Sequence, residues 1–98
     1  MWIGWLEFDI LLGDVHSLKA KRSVVRPVIA ELTRRFAVSA AETGSQDLHR
    51  RAGIGVGVGA ADRAHVGDVL DAAERRVADR PEIELLSVRR GLAKSTDD

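Results

Sequence analysis

Ala52-Gly53-Ile54-Gly55-Val56-Gly57-Val58-Gly59 is the stretch on which the fold turns. Apolar residues and glycines alternate with a period of two, and that period belongs to a β-strand, whose successive side chains point to opposite faces. Ile54, Val56 and Val58 are expected on a buried face, with the glycines leaving the other face almost bare. Glycine in a strand interior is unfavourable by about 0.5 to 1 kcal/mol relative to alanine, so something should cover that face. The candidate lies in the first apolar run. Trp2 to Leu12 place Leu6, Phe8, Ile10 and Leu12 on one strand face, and Ile3, Trp5, Glu7, Asp9 and Leu11 on the other. If the two strands are neighbours, the Trp5 indole is the natural cover for the glycines.

Between these strands the period changes. Ser17 is placed to cap a helix running to about Phe36, since its hydroxyl can accept an orphan backbone N–H. Leu18, Val25, Ile29, Leu32 and Phe36 form its apolar stripe, with Val28 at the edge. Pro27 removes one backbone bond, so a kink there is expected, or a helix that is regular only from near Ser23. Val38 to Thr43 reads as a short second strand at an edge of the sheet. Beyond the glycine-rich strand, Asp62 caps a second helix whose stripe is Val66, Val69, Leu70, Ala73 and Val77, and Pro81 closes it. Ile83 to Val88 supplies the last strand.

The order is therefore βαββαβ, an α+β class with an antiparallel four-stranded sheet. Two right-handed crossovers put both helices on one face of that sheet in the strand order 4-1-3-2. The other face is left for solvent, a ligand or a partner chain. Ninety-eight residues suffice for one domain, expected over residues 1–90, with residues 91–98 expected as a frayed polar tail. Fifteen basic residues balance fifteen acidic ones, so binding to nucleic acid by bulk charge is disfavoured and any polyanion site must be local. Cysteine is absent, which rules out disulfide scaffolding and thiolate chemistry. The N-terminal run carries Glu7 and Asp9 and lacks the basic start of an export signal, and no stretch has the ~20 apolar residues of a membrane span. A cytoplasmic protein without membrane contact is expected.

No catalytic constellation is visible, so a non-enzymatic role is expected. Glu7 and Asp9 share a strand face but read as solvated carboxylates, since no apolar surroundings that would raise a pKa can be identified. His16, His49 and His65 lack metal-type spacing, and neither a metal nor a cofactor is expected. Gly55-Val56-Gly57-Val58-Gly59 resembles a dinucleotide fingerprint only formally, because its glycines alternate within a strand. Charge asymmetry is the stronger signal. Val15 to Phe36 hold six basic residues and Glu31, a local balance of +6 −1 = +5. Lys19, Arg22 and Arg26 fall on one flank of the helix and can follow a phosphate backbone, with Lys21 on the other flank. Arg50 and Arg51 extend the patch if the fold brings their loop near. An ordinary solvated helix face is the competing reading. Trp5 is either a base-stacking platform, a cover for glycines or a dimer contact. Stacking is the weaker option, because the third strand has glycine where an RNA-recognition sheet needs aromatics.

Ser17-Leu18-Lys19-Ala20-Lys21-Arg22-Ser23, Val38-Ser39-Ala40-Ala41-Glu42, Gln46-Asp47-Leu48 with Arg51-Ala52, and Ile54-Gly55-Val56 together resemble the YlxP-like family of small bacterial proteins of unknown function. The resemblance spans nearly the whole chain. It departs at His49, where the family commonly has tryptophan, and at Gly57 and Gly59, where bulkier residues are frequent. It implies a ferredoxin-like fold, and genes neighbouring those for translation initiation factor two and ribosome-binding factor A. A role in translation or small-subunit maturation follows as an expectation, with ribosomal RNA or a ribosomal subunit as partner. The alternative expectation is a homodimeric interaction module that buries Ile3, Trp5 and Leu11 on the open sheet face without touching RNA.

Overall fold

A computed structural model describes residues 1–96 and has the order β1 (Trp2–Leu12), α1 (Leu18–Phe36), β2 (Ser39–Gly44), β3 (Arg51–Ala60), α2 (Arg63–Ala78) and β4 (Ile83–Lys94). The four strands form one antiparallel sheet in the order β2-β3-β1-β4. This is the α+β, ferredoxin-like arrangement, with strand order 4-1-3-2 counted from the opposite edge. Leu6, Phe8, Ile10 and Leu12 are buried on one face of β1, as the alternation requires, and Ile54 and Val56 lie beside them on β3. Val66, Leu70, Ala73 and Val77 of α2 complete the core from above. Gly4 marks the closest approach of helix and sheet. A Cβ there would stand 2.5 Å from Val66 Cγ1 and 2.8 Å from a Leu70 methyl carbon, so only glycine lets α2 settle on β1.

Both caps form as the sequence implies. The Ser17 hydroxyl accepts from the Ala20 N–H at 3.0 Å, and the Asp62 carboxylate accepts from the Ala64 N–H at 3.0 Å. Three expectations are corrected. First, α1 runs uninterrupted from Leu18 through Pro27 to Phe36, so regular helix begins well before Ser23. Its buried stripe is Lys21, Val25, Val28 and Leu32, with Val28 central and Leu18 exposed. Second, Trp5 does not cover the β3 glycines. Its indole leans the other way onto Gly91 of β4, where a Cβ would fall inside the ring, while Gly57 has nothing above it. Thr43 of β2 covers Gly55 instead.

Third, the chain does not fray at Gly91. β4 continues to Lys94 along β1, and the Ser95 N–H donates to the Met1 carbonyl at 2.8 Å. A bulge explains why the pattern looked finished. Asp9 pairs with Ser87 but Ile10 with Leu85, leaving Leu86 as the extra residue. Inward positions therefore shift from Ile83 and Leu85 to Val88 and Leu92, and a strict period of two fails across the shift. Residues 97 and 98 of the expected tail lie outside the described residues. No helix among the described residues is long and apolar enough to cross a membrane.

Candidate functional site

The six cations singled out from the sequence separate into two groups. Lys19, Arg22 and Arg26 are exposed, and among the described residues none of them pairs with a carboxylate. At about 100° per residue they cluster on one side of α1. Glu31 lies on roughly the opposite side and binds Arg76 of α2 and Arg80 just beyond its end, both at 2.8 Å, so the basic flank is turned away from α2. Together with Ser23 and Pro27, the three cations line a shallow hollow of about 430 Å³.

Lys21 does not join them, which corrects the expectation of a second basic flank. It is 2% exposed, beneath α1. Its ammonium donates to the carbonyls of Ser45 and Leu48 at 2.7 and 2.8 Å, and lies 2.8 Å from a Glu42 carboxylate oxygen in ion-pair contact. The desolvation of this charge is offset by acceptors from β2 and from the loop that follows it, so Lys21 staples that loop to α1. Leu18 and Lys21 exchange the roles the stripe suggested. A lysine three positions after the first apolar residue looks like flank, and nothing local shows that Glu42 waits beneath it.

Arg51 is likewise engaged. Its Nε donates to Asp9 Oδ1 at 3.2 Å and a terminal nitrogen donates to Oδ2, a two-pronged pair across β3 and β1 on the open sheet face. Arg50 is exposed and donates to the Gly13 carbonyl at 3.0 Å, which directs it toward the end of β1. The loop thus supplies one cation without an anionic partner, Arg50, at the same end of the molecule as the start of α1.

The open sheet face is mixed. Ile3 and Trp5 are each 39% exposed near one end, and Leu11 is half-buried toward the other. Between them stand the Arg51–Asp9 pair and an Arg89–Glu7 pair at 2.6 Å, beside a groove of about 430 Å³ over Gly53. Carboxylates and guanidiniums neutralise one another there, so the face carries no net attraction for a polyanion.

Fold and surface together define a small α+β sandwich whose sheet face is electrically balanced and whose first helix carries an unneutralised basic flank. Residues 3–90 match the family profile described as "Protein of unknown function (DUF503)", and the chain belongs to that family. It is 30% identical over 82 residues to the "Uncharacterized protein YlxP" of Bacillus subtilis (strain 168), an alignment covering 84% of this chain and 89% of that protein. The family expected from the sequence motifs is thereby established, and neither description states an activity.

Proposed function

We propose that this protein is a non-enzymatic RNA-associated factor that docks the Lys19, Arg22 and Arg26 flank of α1 on phosphate groups, in the service of ribosome maturation or translation. One observation supports the reading above the others: Lys19, Arg22 and Arg26 line one hollow together without carboxylates, while Lys21, Arg51, Arg76, Arg80, Arg89 and Arg90 are consumed in ion pairs and other cations free of carboxylates among the described residues, such as Arg63 and Lys94, lie away from that hollow. Guanidinium groups suit bidentate phosphate contacts. The gene neighbourhood implied by the family resemblance supplies the ribosomal context. Binding through three phosphate contacts releases counterions, and affinity should fall about 40-fold between about 50 and 200 mM salt. Tagged protein should co-sediment with ribosomal subunits from its native lysate at low salt, and the Lys19→Ala/Arg22→Ala/Arg26→Ala variant should not. Absence of the wild-type protein from every ribosomal fraction at low salt would contradict the reading.

A second reading is favoured by the exposure of Ile3 and Trp5, which sit beside Met1 at one end of the open face. A dimer there would be confined to that end, since covering the whole face would strip water from the Glu7–Arg89 and Asp9–Arg51 pairs. It predicts a dimer by light scattering with tryptophan fluorescence shielded from quencher. A monomer with quenchable tryptophan would eliminate it.

A further inference from the structure

We propose that the hollow on the outer flank of α1 is a ribose-phosphate site for double-stranded RNA, in which the Ser23 main-chain carbonyl accepts a hydrogen bond from a ribose 2′-hydroxyl. The proposal rests on the RNA reading above and adds what separates RNA from DNA at that site. In an α-helix the carbonyl of residue i accepts from the N–H of residue i+4. For Ser23 that residue is Pro27, which has no N–H to give, so the carbonyl lacks its helical donor. Ser23 and Pro27 are both exposed and line the same hollow as Lys19, Arg22 and Arg26. The Ser23 hydroxyl donates to the Lys19 carbonyl at 3.3 Å, which turns its hydrogen into the helix. The floor of the hollow is therefore mostly apolar with one acceptor lacking its helical donor, the Ser23 carbonyl, and its rim presents cations.

A phosphate satisfies the rim but has no hydrogen for the floor. The backbone group that supplies one beside a phosphate is the 2′-hydroxyl, present in RNA and absent from DNA. Aromatic side chains, which a single-stranded site needs for stacking splayed bases, are elsewhere. Phe8 is in the core, Trp5 lies on Gly91, Trp2 is near Arg63 and Lys94, and Phe36 sits at the far end of α1, about 15 Å along the helix from Arg26. With cations and one acceptor but no ring, the site fits a helical backbone rather than an unstacked strand.

Fluorescence anisotropy on the full chain tests this with three probes: an RNA duplex of about 16 base pairs, the same duplex carrying 2′-fluorine, which keeps the helical form but removes the donor, and one of its strands alone. The hydroxyl duplex should bind about fivefold more tightly than the fluorinated one, the worth of one hydrogen bond. Pro27→Ala returns an N–H to the Ser23 carbonyl without disturbing the cations, and should erase that preference while leaving salt dependence intact. Equal affinity of the wild type for both duplexes, or an undiminished preference in the folded Pro27→Ala protein, would overturn the 2′-hydroxyl contact while phosphate binding stands. Tighter binding of the single strand would overturn the duplex assignment. Failure to bind any probe at low salt would overturn the phosphate reading itself.

Discussion

Lys21 shows how a residue's role depends on what lies across the fold from it. In sequence it is one of four cations within eight residues of α1, and helical spacing alone places it beside the apolar stripe. In the structure it is the only charged residue among the buried ones described, held by the carbonyls of Ser45 and Leu48 and by Glu42. Removing it strands a carboxylate and two carbonyls under the helix. Lys21→Met should cost about 3 kcal/mol in urea unfolding, and Lys21→Met/Glu42→Leu should recover a large part, because the uncompensated charge is gone. Lys19→Ala, on the exposed flank, should stay within about 0.5 kcal/mol of wild type. An equal cost for Lys19 and Lys21 would show that the staple does not exist. Lys19, Arg22 and Arg26 were legible from the sequence because exposure on a helix flank follows from spacing. Lys21 and Arg51 were not, because their partners are 21 and 42 residues away in the chain.

At the scale of elements, the two helices are joined by Glu31. Hydrogen bonds from Arg76 and then Arg80 hold its carboxyl well below the ordinary value of 4.5, at about 2, with burial opposing the shift. A carboxyl whose pKa is lower in the folded than in the unfolded state adds stability above about pH 4.5, and that contribution is lost as pH falls toward 2. The unfolding midpoints of wild type and Glu31→Gln should therefore differ at neutral pH and converge between pH 4.5 and 2. A gap that stays constant over that range would show that the inter-helix pairs contribute nothing through ionisation. The elements themselves were legible almost to their ends, because capping residues and periods of two and 3.6 are local signals. β4 was read too short for an equally local reason. Its bulge at Leu86 reverses the inward phase, and Gly91 looks like a terminator unless one knows that the Trp5 indole occupies the space above it.

For the whole molecule, topology and the handedness of its crossovers were enough to set the strand order and to put both helices on one face. What the sequence did not disclose was how the charges distribute once that fold closes. The sheet face, with Glu7, Asp9, Arg51 and Arg89, is internally neutralised, and the loop cations divide between Asp9 and the Gly13 carbonyl. Among the described residues, Lys19, Arg22 and Arg26 stand without carboxylates on the side of α1 facing away from α2 and line one hollow, whereas Arg63 and Lys94 lie over Trp2 and Arg50 donates to the Gly13 carbonyl, so the proposed docking specifies an orientation as well as a chemistry. The most direct measurement is the slope of log affinity against log salt for purified ribosomal RNA, compared between wild type and the Lys19→Ala/Arg22→Ala/Arg26→Ala protein. The wild-type slope should be steeper by about 2 to 3; two equal slopes would mean that this helix flank does not touch the polyanion.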